Sequence, residues 1–207
     1  MIFLRKILNL LILFLLIFSL PYVSIAAEEE AVFAGGCFWC LEHDLESLLG
    51  VKNVESGYSG GITPEPAYES HKGHQESVRV IFDNSQLSYS DLLRSYWRNI
   101  DPLDGEGQFC DRGDSYKPVI FTQSKNQEEQ STLSLEKASK EIHKSIKEIK
   151  VAIKPFKKFW IAEDYHQDFA EINSLKYKFY RYSCGRDQRL EKVWSENARS
   201  QNGWNTL

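Results

Sequence analysis

Two cysteines three residues apart, Cys37 and Cys40, bracket Phe38 and Trp39 in the run AVFAGGCFWC at 31–40. Ahead of them 30–34 reads as a short strand. Gly35-Gly36 breaks it, and Leu41, Leu45, Leu48 and Leu49 then recur on one stripe of a helix over 37–49. Cys37 therefore opens a helix, where unpaired backbone N–H groups and the helix dipole favour the thiolate, the nucleophilic form of the side chain. The glycines suit a tight turn with close approach above the sulfur. Phe38 and Trp39 give that sulfur an apolar wall. A thiolate beside such a wall suits a soft electrophile carrying a small apolar group, and an oxidised sulfur bearing a methyl meets both conditions. Expelling the oxygen takes a proton, which a carboxylic acid kept neutral by burial, assisted by phenol hydroxyls, can deliver.

Cys110 and Cys184 complete the set of four cysteines. Four cysteines in a small secreted protein suggest two structural disulfides, but a chain of this size folds without staples. The C-x-x-C spacing asks for chemistry instead. A thioredoxin-like thiol–disulfide oxidoreductase also opens a helix with C-x-x-C after a strand. A non-enzymatic secreted protein would have all four cysteines paired and inert. His71 and His74 form H-x-x-H and could join Cys37 and Cys40 around a metal. Zinc sites built on C-x-x-C ordinarily carry a second tight pair of the same kind, so no metal is expected.

The elements that must position Cys37 follow in a mixed order. Residues 51–58 alternate weakly and end at Ser59-Gly60-Gly61, SVRVIFD at 77–83 alternates as a stronger strand, and TPEPAYESHKGHQE between them is loop. SYSDLLRSYWRNI reads as a helix capped near Ser88 or Ser90. DPLDGEGQFCDRGDSY is a loop of a length that is uncommon without a function. Then come a strand at 118–122, a charged helix over 124–147 with a solvated Lys/Glu face, a short strand at 149–153, a helix over 164–172, an irregular KYKFYRYSCGRD and a last helix at 188–198. This mixture predicts an α+β fold: a two-layer sandwich over a mixed β-sheet, the reactive cysteine at the N-terminus of the first helix, and an irregular C-terminal tail. No repeat, Pro/Ser-rich linker or sustained heptad divides the chain, so 30–207 reads as one domain, expected to be monomeric.

Residues 1–26, MIFLRKILNLLILFLLIFSLPYVSIA, have the layout of a secretory signal peptide: a basic start at Arg5 and Lys6, an apolar run, then Ser24-Ile25-Ala26. Cleavage after Ala26 or Ala27 is favoured over an uncleaved anchor on the strength of that small-residue site; the apolar run is long for a signal's core but short of the roughly 20 residues of a comfortable span. A secreted or periplasmic location follows. Losing those two positive charges takes the net charge from −4 to −6. No strongly basic block remains, which argues against nucleic acid as a partner.

GGCFWC, GYSGG at 57–61, PEPAY at 64–68, GHQESVRV at 73–80, SYWRNIDP at 95–102, GQFCDRGDSYKPVIF at 107–121 and AEDYHQDF at 162–169 together resemble the peptide-methionine (S)-S-oxide reductases, the methionine sulfoxide reductase A family, in the family's order. The resemblance implies reduction of methionine-S-sulfoxide, free or in oxidised proteins, through a cysteine sulfenic acid and an intramolecular disulfide. It implies Cys37 as nucleophile, Phe38 and Trp39 as the pocket for the methyl, Glu76 as proton donor to the sulfoxide oxygen, Tyr68 and Tyr116 as hydroxyl donors, and Asp111 as a further polar position. It implies no bound cofactor; the reductant would be an external, thioredoxin-like thiol donor. Where the usual motif has glycine this chain has Cys40. Cys184, in a segment read as mobile, is the first candidate to resolve the sulfenic acid, followed by Cys40 and then Cys110. His166 is expected to order a helix or a surface network rather than to perform catalysis.

Overall fold

The computed structural model describes residues 28–204; the expected leader at 1–26 lies outside the described residues. Among these, the strands are β1 (Glu28–Ala34), β2 (Val51–Ser59), β3 (Gln75–Asp83), β4 (Gly107–Gln108), β5 (Asp111–Arg112), β6 (Val119–Thr122), β7 (Ala152–Pro155) and β8 (Phe159–Ile161). The α-helices are α1 (Phe38–Glu46), α2 (Tyr89–Trp97), α3 (Lys125–Glu141), α4 (Phe169–Ile172), α5 (Ser174–Ser183) and α6 (Arg186–Trp194). Ala31 and Phe33 of β1 are buried towards one side and Val32 and Ala34 towards the other. A strand apolar on both faces belongs inside a sheet. It lies within a sheet of order β7-β6-β1-β3-β2-β8, antiparallel except for the parallel β6–β7 pair.

On one face Phe33, Val78, Val80, Phe82 and Ile120 meet Phe38, Leu41 and Leu45 of α1 and Leu92, Leu93, Tyr96 and Trp97 of α2. Burying Leu41 and Leu45 contributes about 1.5–3 kcal/mol each, which holds a nine-residue helix that would not persist alone. The opposite face carries a smaller cluster of Val32, Ala34, Val119 and Phe121 under Phe156 and Phe159. The result is the expected α+β architecture over a mixed sheet. Helix α2 begins as expected, with Ser88 accepting a hydrogen bond from the Asp91 N–H at 3.1 Å.

Several expectations need correction. The tail is not irregular. Helix α5 runs through Ser183, Gly185 at φ +65° turns the chain, and α6 follows at once. Tyr177, Tyr180 and Cys184 recur on one face of that helix, a period hidden by the intervening lysines and arginines. The 124–147 helix stops at Glu141, just before His143 adopts φ +53°, and 146–148 form a separate 3₁₀ turn. Residues 164–172 are split by Asp168 at φ +52° into a 3₁₀ turn and the short α4. The long loop folds back on itself as the β4–β5 hairpin, with Phe109 at φ +56° in its turn.

Candidate active site

Strand β1 delivers the chain to Gly35-Gly36, and Tyr96 fixes its end by donating its hydroxyl to the Ala34 carbonyl at 2.8 Å. The glycines are required by the protein's own packing. A Cβ on Gly35 would come 2.7 Å from Ile100 Cγ2, and one on Gly36, at φ +86°, 2.7 Å from Gln108 Cβ. Cys37 then sits at the N-cap of α1 and is 6 % exposed.

The helix start does not favour a Cys37 thiolate as expected. The Phe38 N–H donates to Glu76 Oε2 at 3.1 Å, and the Cys37 N–H bonds to the Asp111 carboxylate. Two carboxyl groups thus take up the donors that would have stabilised a thiolate. Burial, reinforced by the neighbouring Cys40 thiol and Glu76, pushes the Cys37 thiol well above its ordinary range. The Cys40 thiol, two per cent exposed, is pulled down by its hydrogen bond with Cys37 and by the nearby Arg186 and Arg181 guanidiniums. Those two arginines share Asp44, Arg181 at 2.7 Å and Arg186 at 3.6 Å. In the resting site, Cys40 is the more acidic of the pair.

Glu76 reaches this site because β3 alternates. Position 76 shares the helix-facing side of the strand with Val78, Val80 and Phe82, so its carboxyl is driven inward beside Cys37. Burial raises it to about 8, only partly offset by the Phe38 N–H and the Tyr116 hydroxyl. At neutral pH the group holds its proton. The segments flanking it explain two sequence motifs: a Cβ on Gly60 would strike Gln75, and one on Gly61 the His74 ring. GYSGG is thus the bed on which GHQE lies. His74 Nε2 is 2.9 Å from the Thr63 carbonyl and His71 stacks on Tyr58. Among the described residues the two histidines do not gather with Cys37 and Cys40 into a ligand group.

A cavity of about 60 Å³ is lined by Cys37, Phe38, Trp39, Tyr68, Glu76, Asp111, Tyr116 and Tyr180. That is roughly the share of two liquid water molecules, enough for one small group beside the sulfur. All seven residues expected at the site converge here. Tyr68 is placed by its backbone N–H, which donates to Glu163 Oε1 at 2.9 Å, while Oε2 accepts the Tyr58 hydroxyl at 2.9 Å. Burial first, and the nearby Glu76 carboxyl second, raise the phenols of Tyr68 and Tyr116, so both remain O–H donors. The Trp39 ring stacks on Phe169 at 3.7 Å, and its N–H donates to His166 Nδ1 at 3.0 Å. Burial lowers His166, which leaves a neutral acceptor for that bond. His166 is buried and holds the Trp39 wall, not the helix or surface network expected of it.

Tyr180 was not anticipated. Its hydroxyl donates to Asp111 Oδ2 at 2.6 Å, and it also hydrogen-bonds the Cys37 side chain. A helical reading of 174–183 would have put it on the inward face with Tyr177. The cysteines also differ from expectation. Cys184 caps α5 and forms a disulfide with Cys110, whereas Cys37 and Cys40 are free and buried.

The family model described as "Peptide methionine sulfoxide reductase" matches residues 29–198. The chain is 45% identical over 178 residues to Peptide methionine sulfoxide reductase MsrA 2 of Caulobacter vibrioides, covering 84% of this chain and 89% of that protein. Among solved structures, methionine sulfoxide reductase A of Corynebacterium diphtheriae superposes with a TM-score of 0.65 at 28% identity, over 76% of this chain and 78% of the other. Mxr1 of Saccharomyces cerevisiae in complex with Trx2 shares the fold at 19% identity, with a TM-score of 0.50 over 73% and 91% of the two chains.

Proposed function

This chain belongs to the peptide methionine sulfoxide reductase family, an oxidoreductase family that reduces methionine sulfoxide to methionine, and from that premise we propose how its own residues divide the work. The observation that carries the proposal is the convergence of Cys37, Glu76, Tyr68 and Tyr116 on one small cavity walled by Phe38 and Trp39. The sulfoxide methyl lies against the two rings. Its oxygen faces the Glu76 carboxylic acid and the two phenol hydroxyls, which donate to it as negative charge develops. Cys37 attacks the sulfur; the S–O bond breaks, the oxygen ends on Cys37 as a sulfenic acid, and the substrate leaves as methionine, reduced by two electrons. The preferred epimer is S, as the resemblance to the family implies.

Cys40 resolves the intermediate. Its sulfur already contacts Cys37, it is the more acidic thiol, and Cys184 is held by Cys110. Cys40 sulfur bonds to Cys37 sulfur and the sulfenic oxygen leaves as water. A two-electron thiol donor then restores both thiols, and a thioredoxin-like protein fits that role, as Trx2 accompanies the yeast fold relative. The dithiol oxidoreductase alternative is not favoured, since it makes no use of Glu76, Tyr68 or Tyr116. Export through the 1–26 leader would direct the enzyme to oxidised proteins outside the cytoplasm, acting as a monomer without nucleic acid. N-terminal sequencing of the exported form should begin at Ala27 or Glu28; a start at Met1 speaks for an anchor.

The test is a single turnover of the protein with Cys37 and Cys40 reduced, with each epimer of a blocked methionine sulfoxide and no donor. One equivalent of methionine from one epimer, absent in Cys37→Ser, is expected. Turnover by Cys37→Ser would sink the mechanism.

A further inference from the structure

Cys110 and Cys184 are joined across 74 residues, and each is tied to a residue of the cavity wall. Cys110 directly precedes Asp111. Cys184 lies one helical turn beyond Tyr180, its N–H donating to the Tyr180 carbonyl at 2.9 Å. The same two segments meet again inside the cavity, where the Tyr180 hydroxyl donates to Asp111. We propose that the Cys110–Cys184 bridge is a positioning clamp that stays oxidised throughout the reaction, holding Tyr180 on Asp111 so that substrate binds against a closed wall. The electrons of the reaction move only through Cys37 and Cys40. This inference rests on the methionine sulfoxide reductase reading above.

The clamp sits where packing is weakest. Phe38 and Glu76 stand on α1 and β3, inside the main core. Asp111 stands instead on a hairpin with two residues in each strand, too short to persist unsupported. Tyr180 stands on a ten-residue helix of which only Tyr177 is fully buried, with Leu175, Phe179 and Tyr182 each more than 70 % exposed at 84%, 74% and 74%. Other ties to the hairpin, the Gln108 amide on the Asp101 carbonyl at 2.8 Å and Arg186 over the Phe109 ring at 4.4 Å, do not reach α5. The covalent bridge and the Tyr180–Asp111 hydrogen bond are what join the two pieces at the cavity.

A resolving role for Cys184 would require the bridge to open in each cycle. A clamp requires it to stay closed. The two are separated by comparing the full chain, bridge intact, with Cys110→Ser/Cys184→Ser and with Tyr180→Phe. Each is followed in single turnovers over a range of blocked methionine-S-sulfoxide concentrations, with disulfide mapping afterwards. In the unaltered chain a Cys37–Cys40 disulfide should form with Cys110–Cys184 still closed. The double variant should form the same Cys37–Cys40 disulfide and release one methionine, with its half-saturating concentration raised roughly tenfold and its limiting rate within about twofold. Tyr180→Phe should reproduce that rise and add nothing when combined with the double variant, a coupling that a stabilising staple with no link to Tyr180 would not show. A Cys37–Cys184 disulfide after turnover, an unchanged half-saturation in the double variant, or additive effects of Tyr180→Phe would each overturn the clamp. Should the double variant fail to fold, the mapping and Tyr180→Phe still decide. An unaltered chain that makes no methionine from either epimer overturns the activity reading, and the clamp with it; a normal burst with any of the failures above overturns the clamp alone.

Discussion

Replacing Glu76 by glutamine separates the chemistry of this carboxyl from the stability it costs. In the folded protein burial raises it to about 8, against 4.5 for the ordinary side chain. Between those values the native state keeps a proton that the unfolded chain has released, so stability falls as pH rises through the window. The contribution is fully present below about pH 4.5 and lost through pH 8. A difference of 8 against 4.5, at about 1.4 kcal/mol per unit, makes the loss of order 5 kcal/mol. Glutamine preserves the shape and can still accept the Phe38 N–H, but it has no charge to bury and no acid proton to give. Urea unfolding of both proteins at intervals from pH 5 to 9 should show the unaltered chain losing several kcal/mol more than Glu76→Gln. Single-turnover methionine formation by Glu76→Gln should fall by about 10²–10⁴-fold at pH 7. Parallel stability profiles would refute the buried neutral acid, and an unchanged single-turnover rate would refute its role in proton donation.

Glu42 offers the matched control: burial raises it to about 7, yet it lies outside the cavity. Glu42→Gln should therefore remove a smaller fall of about 3 kcal/mol, complete near pH 7, with the single-turnover rate intact; a matching loss of rate would count against the assignment of the acid to Glu76. Cys40→Ser should still release one methionine but accumulate a sulfenic acid that a dione reagent traps, and disulfide formation at normal speed in that variant would return the resolving role to Cys184. Gly36→Ala should destabilise by about 1–3 kcal/mol through its positive φ and the contact with Gln108, and slow alkylation or turnover at Cys37 beyond what the stability loss explains. An alanine as stable and as active as the glycine would show that this turn has slack.

Much of the site was legible because it follows local periods. Glu76 lies in step with Val78, Val80 and Phe82, so the alternation that predicts the strand also predicts which way the carboxyl points. The break at Gly35-Gly36 and the leucine stripe of α1 put Cys37 at a helix start without any knowledge of the sheet. The tail was misread because its charged residues masked the stripe of Tyr177, Tyr180 and Cys184, and with it went the one cavity residue that was missed.

The ionisation of Cys37 and the pairing of the cysteines belong to another level. A helix N-terminus by itself argues for a thiolate; only tertiary packing brings Glu76 from β3 and Asp111 from the hairpin to occupy those N–H groups and bury the sulfur, which reverses the sign. Four cysteines permit three complete pairings, and nothing in their spacing selects Cys110 with Cys184. What the sequence by itself determined was the set of reacting groups and the local elements bearing them, since propensity and period act over a few residues. What only the tertiary structure decided was which groups share a cavity and in what charge state, since burial and contact across 74 residues depend on the whole fold.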